Sequence, residues 1–212
     1  MGLYQKAASG SGQDQLFASP NGKLVHQWSR DGRFIVYSEY DPATLHDLWV
    51  LPVNESGEPS GKPILFLRTG FREYDGQISP DGHWMAYTSE ESGKPEVYVR
   101  PFPASDGQWR ISTSGGEQPR WRGDGKELFF PAPDGKMTAV PVKAVSGAKP
   151  SLDVGVPAAL FDSHIEPRGP VDLTWRYDVT ADGKRFLVNT TTAAVSHPPL
   201  TVVVDWQAGL KK

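Results

Sequence analysis

Four stretches of the chain repeat one arrangement of polar and apolar side chains: Gln27–Tyr37, Gln77–Tyr87, Arg120–Phe130 and Asp178–Val188. Each is centred on an Asp-Gly pair, Asp31-Gly32, Asp81-Gly82, Asp124-Gly125 and Asp182-Gly183, and the Asp positions lie 50, 43 and 58 residues apart. Four residues before the Asp the side chain is polar (Gln27, Gln77, Arg120, Asp178). Three before it the side chain is apolar (Trp28, Ile78, Trp121, Val179). Such alternation predicts a strand with two unlike faces. The Asp-Gly pair predicts a hairpin turn, because Gly accepts positive φ and an Asp side chain bonds to nearby backbone N–H groups. Past the turn come Ile35-Val36-Tyr37, Met85-Ala86-Tyr87, Leu128-Phe129-Phe130 and Phe186-Leu187-Val188. Three apolar residues in a row predict a strand covered on both faces.

Each unit continues with two more apolar runs. Third strands are expected at Leu48–Leu51, Val97–Val99, Thr138–Val140 and Thr201–Val204, and fourth strands at Ile64–Leu67, Gln108–Ile111 and Ala159–Phe161. Four antiparallel strands in a repeat of about 40–50 residues describe a β-propeller blade. A sandwich would have no reason to repeat a whole four-strand register. The expected fold is therefore all-β, a single propeller over 1–212. Its blades fall near 23–69, 72–113 and 117–162, with a partial blade at 1–18 and an incomplete one near 171–206. Leu3–Lys6 and Gln15–Phe17 read as the outer two strands of the partial blade. The ragged ends predict one of two outcomes. Gln15–Phe17 folds beside Thr201–Val204 and closes a four-bladed ring, or two arcs associate, which fits a ring larger than four blades.

Composition sharpens the choice of fold class. Gly (22) and Pro (19) together make nearly one residue in five, against about 12% in average usage. The longest stretch without either, Lys184–His197, has 14 residues and is rich in Val, Thr and Phe, which leaves little room for ordinary helices. Seven Trp, seven Tyr and nine Phe argue against disorder. With 22 Lys and Arg against 25 Asp and Glu, the formal charge of −3 offers no footprint for nucleic acid or an anionic membrane surface. Cysteine is absent, which removes disulfides and thiolate chemistry. No apolar run approaches the roughly 18 residues of a membrane span. The start, Met1–Lys6, lacks the apolar region of a signal peptide. These two features predict a cytoplasmic chain or a piece of a longer one.

The Ser79-Pro80-Asp81-Gly82 core, its apolar strand and Glu96–Val99 resemble the TolB-like, WD-repeat-related propellers of bacteria. Asp47–Pro52, Gly76–Gly82, Glu96–Pro103, Gln118–Phe129, Tyr177–Gly183 and Trp206–Lys212 look like the C-terminal propeller of membrane-anchored serine/threonine kinases common in Acidobacteria. That resemblance implies a sensor or interaction module following a kinase domain and a membrane helix, on the periplasmic or extracellular side, in a ring larger than this one. The chain carries no Gly-rich nucleotide loop, His-Arg-Asp or Asp-Phe-Gly motif, so kinase activity does not carry over.

Candidate chemistry is sparse. The Asp-Gly pairs recur by register, as turn formers do, and do not converge on one point as metal ligands must. The histidines at 26, 46, 83, 164 and 197 show no metal-ligand spacing. No metal, cofactor or catalytic residue is expected. The polar column Gln27, Gln77, Arg120 and Asp178 sits on first strands, which line a propeller's axis, and is the candidate ligand-binding set. The plainer reading is that these residues pair with neighbouring blades or channel water. Trp175–Tyr177 and Arg120–Arg122 are a further candidate for an aromatic and cationic rim, although Trp121 is expected to pack between blades. Three functions compete. The first is a non-catalytic module binding a protein or peptide, or a small ligand in the channel. The second is a propeller lactonase or hydrolase with a channel metal. The third is an assembly module that oligomerises through unfinished blades.

Overall fold

The computed structural model describes residues 2–6, 8–10, 15–145, 149–166 and 174–190. Among these the chain is all-β, and no helix is long and apolar enough to cross a membrane. Strands β1 (Gly2–Tyr4) and β2 (Gln15–Ala18) pair as a two-stranded sheet. β3 (Lys23–Trp28), β4 (Phe34–Asp41), β5 (Leu45–Pro52) and β6 (Ile64–Leu67) form the first full sheet, antiparallel and in chain order. β7 (Glu73–Ile78), β8 (Trp84–Ser89), β9 (Glu96–Pro101) and β10 (Trp109–Arg110) form the second. The third holds β11 (Arg120–Trp121), β12 (Glu127–Pro131), β13 (Lys136–Val145), β14 (Ser151–Val154) and β15 (Ala158–Asp162). A fourth unit pairs β16 (Tyr177–Val179) with β17 (Phe186–Val188). This is a β-propeller arrangement of four-stranded antiparallel blades, flanked among the described residues by a two-stranded unit on either side in the chain.

The Asp-Gly turns owe their uniformity to a shared set of bonds. Gly32, Gly82, Gly125 and Gly183 have φ of +75°, +76°, +72° and +71°, the left-handed region that costs Gly nothing. In the first turn Ser29 Oγ donates to Asp31 Oδ1 (2.6 Å) and accepts from Phe34 N (2.9 Å), while Arg33 N donates to Asp31 Oδ1 (3.1 Å). Ser79 and Thr180 repeat the Ser29 role. In the third turn, where Arg122 replaces the hydroxyl residue, its guanidinium grips Asp124 at 2.7 and 2.8 Å. That grip and the Lys126 N–H hold the Asp124 carboxyl down to about 2.

The core is a series of inter-sheet layers, because side chains alternate along each central strand. In β4, Val36 faces the second sheet, whereas Ile35 and Tyr37 face β1 and β2. In β8, Met85 and Tyr87 pack on the first sheet, and Trp84 and Ala86 on the third. In β12, Leu128 and Phe130 face the second sheet, and Phe129 faces β16 and β17. Full burial of each Val, Leu, Ile, Phe or Met among them stabilises the fold by roughly 1.5–3 kcal/mol.

Three expectations are corrected. The third sheet does not end in a single fourth strand at Ala159–Phe161. β13 is ten residues long, so its outer edge accommodates two strands end to end: β15 along Lys136–Ala139 and β14 along Val142–Val145. In the second sheet the Gln108–Ile111 ladder shrinks to Trp109–Arg110. Leu187, read as covered, is 77% exposed, and Trp28 is 48% exposed. The Trp28 indole bonds its own turn at Gly32 O (3.0 Å), whereas that of Trp121, only half-buried, reaches Gln77 O of the preceding sheet (3.0 Å). β2 pairs with β1; Thr201–Val204, one of the two proposed neighbours of Gln15–Phe17, lies outside the described residues.

Candidate functional site

The first strands bring the polar column together in one row. Gln27 Oε1 accepts from Ile78 N (2.7 Å) and its Nε2 donates to Ile78 O (3.2 Å), so one amide side chain pairs with both backbone polar groups of a residue in the next sheet. Gln77, buried, donates to His26 O (3.0 Å) and accepts from Arg120 Nη1 (3.2 Å). Arg120 Nε stands 3.8 Å from Asp178 Oδ1, an ion-pair separation too long for a hydrogen bond. Asp178 is largely exposed, so this last link is weak.

A second row, two residues earlier, was not read from the sequence. Asp75, at a bulge of β7, and Gln118, at the corresponding position before β11, have φ of +58° and +55°, a conformation costing roughly 1 kcal/mol or more for a residue with a Cβ. Hydrogen bonds hold them there. Asp75 Oδ2 accepts from Thr88 Oγ1 and Gln118 N (both 3.1 Å), and Gln118 Oε1 accepts from Arg176 N (2.7 Å). The Tyr177 hydroxyl lies 2.9 and 2.8 Å from the carbonyls of Gln118 and Phe129, and burial pushes it well above the usual phenol range. The only sequence signals were a polar residue before Gly76 and one before Pro119. Gly76 itself is required: a Cβ there would meet Val36 at 2.7 Å.

Aromatic and cationic groups close this inner region. The Arg120 guanidinium lies 3.8 Å from the Trp175 ring centroid, and Trp175 meets the His26 ring edge-on at 6.4 Å. Stacking of this kind uses both the charge and the face of the ring. The row therefore holds blades together and fills the inner side with the protein's own groups.

Antiparallel connectivity puts the Asp-Gly turns at one end of the sheets and the β8–β9 and β12–β13 turns, with the sheet-to-sheet crossovers, at the other. At this second end a cleft of about 380 Å³ opens between the second and third sheets. Lys94 and Pro95, the crossover Ser114–Glu117, Pro131–Pro133, Ile165 and Glu166 line it. Glu96, fully buried, braces the crossover: its Oε2 accepts from Ser112 Oγ and Gly115 N (3.0 Å), and Lys94 Nζ is 3.4 Å from Oε1. Asp47 has the matching role in the preceding sheet, bound by Arg68 Nε (2.7 Å) and Thr44 Oγ1 (3.0 Å). Beside it Glu73 is buried with Oε2 unbonded among the described residues. Desolvation, opposed by the Thr69 hydroxyl and reinforced by the Asp47 and Glu91 charges, pushes its carboxyl up to about 7. None of the cleft residues stood out in the sequence, where Gly and Pro read as punctuation. Among the described residues no group of three or more His, Asp or Glu is placed to hold a metal ion.

No family pattern and no curated protein matches the chain. Solved structures do. TolB from Acinetobacter baumannii superposes with a TM-score of 0.59 at 17% identity, over 86% of this chain and 41% of its own. A provisional 6-phosphogluconolactonase from Bacteroides uniformis gives 0.51 at 17% identity, over 89% of this chain and 57% of its own. The chain thus spans about half the length of these propellers. At such identity the likeness is one of fold.

Proposed function

We propose that this TolB-like β-propeller is a non-catalytic interaction module that receives a protein or peptide partner on the face opposite its Asp-Gly turns. One observation carries the reading. Gln27, Gln77 and Arg120 are engaged sheet to sheet, and Trp175 is stacked on Arg120. A ligand seated among them would have to break bonds that hold the blades. A cleft lined largely by apolar groups opens instead at the crossover end, between the second and third sheets. Apolar clefts with a few convergent polar groups are where binding is expected. The resemblance to kinase-linked propellers is in keeping with a sensor role.

Site-specific photo-crosslinking tests it. A benzophenone side chain at exposed Pro133 should capture a protein from source lysate, and the same probe at exposed Arg33, on the turn face, should not. Equal capture at both positions, or at neither, would overturn the reading. Turnover of 6-phosphogluconolactone above background, abolished by Arg120→Ala, would replace it with the hydrolase reading.

A further inference from the structure

We infer that Asn21-Gly22 is a site of self-modification, at which the Asn21 amide is converted with time to aspartate and isoaspartate and the start of β3 is loosened from the end of β4. This goes beyond the interaction-module reading and does not depend on it.

The chemistry needs a short carbonyl side chain followed by a backbone nitrogen that can attack it, and it is easiest before glycine, which has no side chain to hinder the approach. The chain has one Asn-Gly pair. The fold protects the Asp-Gly turns, where the same attack is conceivable. Gly32, Gly82, Gly125, Gly135 and Gly183 each donate their N–H to the carbonyl three residues earlier, at 2.8–3.0 Å. The carboxylates of Asp31, Asp81, Asp124, Asp134 and Asp182 each accept from the N–H two residues on. Gly22 N makes no hydrogen bond among the described residues, and Asn21-Gly22 lies half-buried between β2 and β3, outside any strand. Of the other asparagines, Asn54 has its Oδ1 held by the N–H groups of Ser56 and Glu58 (3.0 and 2.9 Å), and Asn189 precedes β-branched Thr190.

The step balances without an oxidant or a cofactor. Gly22 N gives its proton to solvent and bonds to Asn21 Cγ. The Cγ–Nδ2 bond breaks and ammonia leaves, closing a five-membered succinimide. Water then opens the ring at Cγ, which gives aspartate, or at the main-chain carbonyl, which gives isoaspartate and runs the backbone through the former side chain. Asn21 Nδ2 donates to Glu39 Oε1 (2.9 Å), so conversion proceeds when that bond lets go, a local opening.

The product no longer suits its surroundings. Glu39 Oε1 exchanges an N–H donor for a carboxylate, and like charges repel most where water is scarce. Gly22 O accepts from Tyr40 N (2.9 Å), directly before the Lys23–Glu39 rung that begins the β3–β4 ladder. Isoaspartate lengthens the backbone at that point and moves the carbonyl off its partner.

The test ages the full chain at mildly alkaline pH and reads the tryptic peptide Ala7–Lys23 by mass, with isoaspartate detected by isoaspartyl methyltransferase labelling. Conversion is expected at Asn21 and not at Asn54, Asn189 or the Asp-Gly turns, faster as pH rises, and roughly tenfold slower in Gly22→Ala. The converted fraction, separated by anion exchange, should exchange the Tyr40 amide proton faster than the parent, and Asn21→Asp should reproduce part of that change. An Asn21 that stays intact while the free peptide Ser19–Lys23 converts would overturn the site. Equal conversion at the Asp-Gly turns would overturn the protection argument, and a Tyr40 amide unchanged in the converted fraction would overturn the loosening of β3.

Discussion

Gln27 shows how one side chain changes meaning once its neighbours are known. As a polar residue on an inner strand it read as a candidate ligand-binding group or, more plainly, as a partner of a neighbouring blade or of channel water. In the structure it bonds both the N–H and the carbonyl of Ile78 in the next sheet. Leaving those groups without partners costs about 1–2 kcal/mol. Gln27→Ala is expected to lower the urea midpoint accordingly. Phe129→Ala, which empties a fully buried site facing β16 and β17, should cost roughly 3–5 kcal/mol. Half-buried Trp121 should cost less than Phe129. A Gln27→Ala midpoint equal to the parent's would mean that the inter-sheet pair contributes nothing.

At the scale of elements, the crossover from β6 to β7 carries a pH dependence. Glu73, the first residue of β7, has its carboxyl raised from an ordinary 4.5 to about 7, chiefly by desolvation. The folded state therefore holds this proton more tightly than the unfolded chain. Its contribution to stability is fully present below pH 4.5 and is lost as pH rises through about 7. His46, lowered by burial and by Arg72, acts in the opposite sense, losing stability as pH falls through its window. The depressed turn carboxylates of Asp31, Asp124 and Asp182 lose theirs only at still lower pH. Between pH 5 and 8, Glu73→Gln should stabilise the chain progressively more, relative to the parent, as pH rises. A parent-minus-variant difference that is flat with pH would reject the assignment.

For the whole molecule, the terminal units decide behaviour in solution. Val25 and Trp28 at one end are 56% and 48% exposed, and Leu187 at the other is 77% exposed. Apolar surface of this kind, exposed among the described residues, favours association. Light scattering at low micromolar concentration should give a mass above 23.3 kDa, falling to that value in the double variant Trp28→Ser, Leu187→Lys. A parent that is already monomeric and stable on dilution would reject association and leave self-closure as the account.

The repeat of Asp-Gly turns, the all-β class, the strand order within each unit and the covered central strands were legible in the sequence, because each follows from local chemistry: positive φ at Gly, the bonds of a short Asp side chain, and the period-two alternation of a strand. What lay beyond its reach depended on residues far apart in the chain. The sharing of the β13 edge by β14 and β15 follows from how far β13 outruns β12. The positive-φ backbone at Asp75 and Gln118 is held by Thr88, Gln118 and Arg176, through bonds spanning 13, 43 and 58 residues of the chain. The cleft is made by two glycines that matter through what a Cβ would strike on another turn, Pro133 and Phe130. Local pattern specifies which face of a strand is apolar; only the stacked sheets decide what stands opposite it.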